Sequence, residues 1–276
     1  MSILFVEHLT VIDASYLCAA RGLVGESWIV DLELEGSLDT QSMVLDFGLV
    51  KKQIKRAIDD SVDHTLIIPN TAQVSHYDGD CYVYFTTAHG NIEQQSPPCA
   101  VTLLDAPAVT TEAVVQHLQP ILQAVVPNNV FAVRIFLRHE VIDGAYFHYT
   151  HGLKKHQGAC SRIAHGHRSK LQFWQGDERQ FVLEQQWAER WQDVYLASKE
   201  DIRAREGGRV CVSYTALEGN FTLWLPESRV YVLDEDTTIE CLAQHLADQT
   251  GFRVRVYEGV MKGAMGLPAA SGLQSV

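Results

Sequence analysis

The chain has 276 residues, 46% hydrophobic and 20% charged, a balance that belongs to folded globular proteins rather than disordered ones. A formal net charge of −12 argues against a nucleic-acid backbone as the main partner. No apolar run reaches the roughly 20 residues that span a bilayer, and MSILFVEHLTVIDASYL has neither the basic region nor the small-residue cleavage site of a signal peptide, so the expectation is a cytoplasmic protein with no membrane partner.

Residues 3–17 carry an apolar, β-branched run expected to form a strand, and WIVDLELEG (28–36) alternates apolar and charged residues with the period of a half-buried strand. FGLVKKQIKRAIDD (47–60) sets Leu49/Val50, Ile54 and Ala57/Ile58 on one helical face, with its lysines and arginine opposite. Pro107 with Thr110 or Thr111 reads as a helix start, AVVQHLQPILQAV (113–125) continues it, and Pro120 is expected to kink or break it. VFAVRIFLR (130–138) reads as a strand and VLEQQWAERWQDVYL (182–196) as one helix. CVSYTALE (211–218) and FTLWLP (221–226) read as extra strands. The tail GAMGLPAASGLQSV (263–276) is small and polar enough to be mobile. The six cysteines lack CxxC spacing and are expected as free thiols, with Cys18, Cys81, Cys99, Cys211 and Cys241 in or near the core.

The chain repeats itself. VIDASYLCAARGL (11–23) lies 130 residues before VIDGAYFHYTHGL (141–153), and TTEAVVQHL (110–118) lies 128 before TIECLAQHL (238–246). VRIF (133–136) is answered by VRVY (254–257) in the same order. Two modules follow, 1–140 and 141–276, each an antiparallel sheet with helices on one face in an α+β layer. No linker separates them, so they are expected to pack closely.

Aligned on that repeat, Arg21 faces His151, Val24 faces His165 and Glu26 faces His167, with KKHQGACSRIA (154–164) inserted in the second copy. His165 and His167 are two apart, and on a strand such residues share a face. With His151 from a neighbouring strand they make a three-nitrogen zinc site with a fourth position for water or substrate. His148 and His156 read as loop or exposed histidines. Cys160, five residues before His165, reads either as a fourth ligand closing the site or as a free base or nucleophile.

These residues together resemble the 6-pyruvoyl-tetrahydropterin synthase / 6-carboxytetrahydropterin synthase family. Phe147 through His151 is similar to its first zinc-histidine segment, and Cys160 with His165-Gly166-His167 to its Cys…His-Gly-His segment. MVLDFGLVKKQIK (43–55) resembles its strand-to-helix segment and VDHTLIIPN (62–70) its Leu-Asp-His segment. TTEAVVQHL resembles its Thr-Ser-Glu helix start and VRVYEG (254–259) its last strand, ending in a pterin-binding glutamate. The resemblance implies two tandem tunnelling-fold (T-fold) modules whose sheets join into a barrel on homo-oligomerisation. It also implies Zn2+ on His151, His165 and His167, Cys160 as base, Asp63 and His64 as a proton relay, and Glu258 as the pterin-binding residue. The implied substrate is 7,8-dihydroneopterin triphosphate, acted on by a lyase of pterin or queuosine/deazapurine biosynthesis, with Lys154, Lys155 and Arg162 as candidates to meet the triphosphate. The first module has Asp63-His64 but no zinc histidines, and Leu137 stands opposite Glu258 in the repeat. The second lacks an Asp-His pair, so one composite site drawn from both modules is expected. Two other readings fit these residues: a zinc-stabilised pterin- or purine-binding protein without turnover, and an enzyme of altered chemistry. Thr111, Glu112, Thr238 and Glu240 are read as helix-start residues.

Overall fold

The computed structural model describes residues 1–38, 40 and 42–268. The first half runs β1 (Ser2–Cys18), β2 (Gly22–Gly36), α1 (Phe47–Asp59), β3 (Leu66–Ile68), β4 (Gln73–Tyr77), β5 (Asp80–Thr87), β6 (Gly90–Ser96), β7 (Val101–Leu103), α2 (Thr111–Val125) and β8 (Val130–Arg138). The second runs β9 (Tyr146–His151), β10 (His165–Gln175), β11 (Glu178–Arg179), α3 (Phe181–Trp191), β12 (Val194–Ser198), β13 (Ile202–Glu206), β14 (Arg209–Ala216), β15 (Gly219–Pro226), β16 (Val230–Leu233), α4 (Ile239–Thr250), β17 (Arg253–Tyr257) and β18 (Gly263–Gly266). The same order of elements therefore occurs twice, with β11 and β18 added in the second half.

The sheets repeat the pattern. One has the order β7-β3-β1-β2-β8; its counterpart is β16-β12-β9-β10-β17-β18, with β11 on β10. The long strands pair antiparallel, while β3 and β7, like β12 and β16, join in parallel. The fold is the expected α+β T-fold pair, with parallel edges that the sequence pattern did not reveal. The hairpin strands of the two halves merge into a single sheet, β13-β14-β15-β6-β5-β4, through pairing of β15 with β6.

Local chemistry accounts for the helices. Asp46 caps α1 by accepting from the Gly48 N–H at 2.8 Å, and Val50, Ile54 and Ile58 bury one face at helical spacing. Thr110 and Thr238 cap α2 and α4 by accepting from Ala113 and Cys241 N–H. Pro120 lies inside α2, which runs through it without a break. The stretch 182–196 is not one helix. Asp193 turns to φ +58° after α3, and Val194–Ser198 continues as β12, fully buried. Cys99 is exposed, unlike the core position expected for it; Cys81 and Cys211 are buried, and all six cysteines are free thiols. Gly263–Gly266 of the tail is strand β18, and 269–276 lies outside the described residues. Among the described residues no helix is long and apolar enough to cross a membrane.

Each half has its own helix-on-sheet core, and a third core lies under the shared hairpin sheet. That third core mixes Leu17, Leu66 and Phe85 with Ile163, Tyr195 and Phe221. The halves touch most closely where β2 crosses β10. Ser15 Oγ and Thr150 Oγ1 share a hydrogen bond of 2.8 Å, and a Cβ on Gly25 would fall 1.8 Å from the Tyr149 carbonyl oxygen. Backbone cannot withdraw from such a clash. Gly25→Ala is therefore expected to lower unfolding free energy by about 3 kcal/mol or more, read from the urea midpoint; an unchanged midpoint would contradict this packing.

Candidate metal centre and proton-relay pair

His151 and His165 lie directly opposite each other in the antiparallel pairing of β9 with β10, and His167 follows on the same face. All three are buried, with ring centroids 4.5 to 5.6 Å apart. The outer nitrogens of His151 and His165 are hydrogen-bonded, and that of His167 faces a carboxylate without a formed hydrogen bond. His151 Nδ1 bonds the Thr237 carbonyl at 3.0 Å, His165 Nδ1 the Arg162 carbonyl at 3.1 Å, and His167 Nδ1 lies 3.2 Å from Asp13 Oδ1. Such partners fix which ring nitrogen carries the proton and leave the other free to ligate. The free atoms converge: one ligand atom from each ring lies within 4.8 Å of the others, and His151 Nε2 is 3.3 Å from His167 Nε2. Two nitrogens bound tetrahedrally at about 2.0–2.1 Å sit roughly 3.3 Å apart. Burial, and then the neighbouring histidines, push His151 and His165 well below the ordinary histidine range, so both are neutral with lone pairs available. The donor set, its burial and its spacing fit a zinc ion.

The first half delivers its part to the same place. His64 packs against the His165 ring at 4.9 Å, its Nδ1 bonds Asp63 Oδ2 at 2.7 Å, and Cys160 lies close enough to help raise its pKa. Burial opposes a charge on His64, but Asp63 and Cys160 outweigh it and push its pKa up to about 10. Asp63, His64, Cys160 and the three histidines are thus brought together within one chain. Glu258 is on the turn after β17, where its N–H bonds the Lys262 carbonyl at 2.9 Å and its carboxylate lies 3.7 Å from Lys262 Nζ.

Other expected residues fall elsewhere. Lys154 pairs with Glu200 and Asp201, Lys155 with Glu200 and Asp236, and Arg162 with Glu218. All three cations already have acidic partners. His156 is exposed as expected, but His148 is buried and bonds the Gly25 carbonyl at 2.7 Å. The repeat alignment is out of register. Ser15 pairs with Gly25 and, in parallel, with Leu66; Thr150 pairs with Gly166 and, in parallel, with Tyr195. By that correspondence Tyr16, not Arg21, occupies the position of His151, while Val24 and Glu26 do match His165 and His167. Likewise Leu32 pairs with Ile135 where Phe173 pairs with Val254, so His139, not Leu137, is the counterpart of Glu258. Asp13 and Lys262 were not singled out in the sequence; their neighbours come together only on folding.

A family model described as 6-pyruvoyl tetrahydropterin synthase matches residues 18–142. The chain resembles this family. It is about twice the size of that domain, in keeping with a tandem form of it. The matched stretch holds Asp63 and His64 but none of the three histidines. Two solved 6-pyruvoyltetrahydropterin synthases also align. The Plasmodium vivax protein does so at 17% identity over 50% of this chain and 97% of that chain, with a TM-score of 0.38. For the Plasmodium falciparum protein the values are 17%, 49% and 90%, with a TM-score of 0.40. No curated protein matches the chain.

The histidines dictate a pH response. His151 and His165 lie below their ordinary 6.5 in the folded chain, so the unfolded chain binds more protons as pH falls below 6.5, and stability drops there. His64 acts in the opposite sense: its contribution is complete below 6.5 and is lost as pH rises toward about 10. Metal-free protein is expected to be most stable near about pH 6.5. In denaturant titrations His165→Ala should flatten the acid flank and His64→Ala the alkaline flank. Flanks unaltered by these substitutions would contradict the assignment.

Proposed function

We propose that this chain is a zinc-dependent pterin synthase-like lyase acting on 7,8-dihydroneopterin triphosphate, of the 6-carboxytetrahydropterin synthase kind, in pterin or queuosine/deazapurine biosynthesis. The observation that carries the reading is the contact of His64 with Asp63 and His165, near enough to Cys160 to be raised by it, in a single chain. The unit is a pair of modules, 1–140 and 141–276, the first supplying Asp63-His64 and the second the metal ligands, Cys160 and Glu258. It works as a cytoplasmic homo-oligomer, which would cover the open sheet edges.

His151, His165 and His167 would hold the zinc ion, which polarises the side-chain hydroxyl oxygens of the substrate and acidifies the neighbouring C–H. Cys160, as the thiolate paired with His64, takes that proton as the base. His64, held at Nδ1 by Asp63, carries a proton at neutral pH and hands it on to the substrate side chain. Glu258 accepts paired hydrogen bonds from the 2-amino group and N3–H of the pterin ring. The buried ligand face keeps bulk water from competing for the proton.

Turnover of 7,8-dihydroneopterin triphosphate, followed by triphosphate release, tests the reading. Cys160→Ala and His64→Ala should each lower kcat by about 10²-fold or more while zinc stays bound. Mixing the two inactive proteins should restore nothing, because both groups act within one chain. Recovery on mixing would mean that the site forms between chains. Bound zinc with no turnover by the wild type would favour a pterin- or purine-binding protein instead.

A further inference from the structure

Three parts of the site meet on one aspartate. Asp13 lies on β1, in the half without metal ligands, and is 3% exposed. Its Oδ1 faces His167 Nδ1 at 3.2 Å and accepts from Ser27 Oγ at 2.5 Å, while its Oδ2 lies 3.2 Å from Lys262 Nζ. Its main chain is used as well. The Asp13 N–H donates to Asp63 Oδ1 at 2.8 Å, and the Asp13 carbonyl accepts from the His64 N–H at 2.8 Å. The turn carrying Glu258 rests on the same carboxylate. At Gly259, where φ is +66°, a Cβ would come within 2.5 Å of Asp13 Oδ1.

Burial alone would raise the Asp13 pKa, but His167, Lys262 and Ser27 together hold it well below the usual carboxylate range. The carboxylate is ringed by His167 Nδ1, Ser27 Oγ and Lys262 Nζ. An anion beside Nδ1 favours the tautomer protonated there and leaves Nε2 bare on the ligand side.

We infer that Asp13 is the positioning residue of the metal centre. It turns His167 Nε2 toward His151 and His165, and it registers the Asp63-His64 pair and the Glu258 turn against that ligand. The inference rests on the metal reading of the three histidines.

The other half contains an internal control. His148 occupies the position of Asp13, since its carbonyl accepts from the Asp193 N–H at 2.8 Å as that of Asp13 accepts from His64. Glu26 occupies the position of His167, 3.9 Å from His148. The acid and the imidazole have exchanged strands, so the pair persists without its metal-facing nitrogen. Removing the Glu26 carboxylate therefore disturbs a buried acid–imidazole pair of the same kind without touching the ligands.

The test is zinc affinity by chelator competition, with the absorption spectrum of the cobalt-substituted protein as second readout. Asp13→Ala should bind zinc about 10–100-fold more weakly and alter the cobalt spectrum. Asp13→Asn should fall between, because its amide oxygen still faces Nδ1 but carries no charge. Gly259→Ala, which displaces the carboxylate without removing it, should weaken zinc in the same direction and keeps the test open if Asp13→Ala fails to fold. Glu26→Gln should leave affinity and spectrum as in the wild type. Wild-type affinity in folded Asp13→Asn and Gly259→Ala would overturn the inference, as would an equal loss in Glu26→Gln. A wild type that binds neither metal would remove the metal reading itself, and the inference with it.

Discussion

The crossing of β2 over β10 is the constraint on which the rest of the structure depends. Gly25 and Gly166 have no side chains, so the strands meet backbone to backbone: a Cβ on Gly166 would lie 2.5 Å from the Gly25 Cα. The Ser15–Thr150 hydrogen bond sits at corresponding positions of the two halves, as an internal two-fold axis requires. Only this close approach lets the ring of His64, from the first half, lie against that of His165, from the second. The shared hairpin sheet and its mixed core hold the same relation from the other side. Neither half offers a complete site alone.

Across that axis the two halves have kept the backbone and exchanged the chemistry. His64 and Asp193 hold equivalent places, each with positive φ and each donating its N–H to the strand behind it. One is an imidazole held by Asp63. The other is a carboxylate gripped by Arg21 through two hydrogen bonds of 2.6 and 2.9 Å. Where His151, His165 and His167 converge in the second half, the first has Tyr16, Val24 and Glu26, with Glu26 facing His139 at 3.2 Å. Contacts of this geometry satisfy buried polar groups but supply no open coordination position. Among the described residues, the asymmetry leaves one candidate metal centre to the pair of modules.

The sequence disclosed what local rules govern and hid what pairing governs. The alternation of 28–36, the apolar face of α1 and the threonine caps were legible because period and capping are short-range properties. His-x-His was legible because strand geometry puts i and i+2 on one face. The hairpins β4 to β6 were not, since polar tyrosines, glutamines and threonines form them and their apolar face is sparse. The repeated Val-Ile-Asp was misleading. Strand register is set by hydrogen bonding, which matches Ser15 to Thr150, and Asp143 is an exposed residue outside the strands with no part in the site. Asp13 remained hidden because most of its partners, His167, Lys262, Asp63 and His64, come from distant parts of the chain.

The central claim is that three buried imidazoles hold a divalent ion with Cys160 beside it but not bound to it. Zinc-edge X-ray absorption of the purified wild-type protein measures this directly. The account predicts a first shell of nitrogen and oxygen at about 2.0–2.1 Å, with the outer-shell scattering of three imidazoles. A sulfur scatterer at about 2.3 Å, or fewer than three imidazoles around the metal, would contradict it.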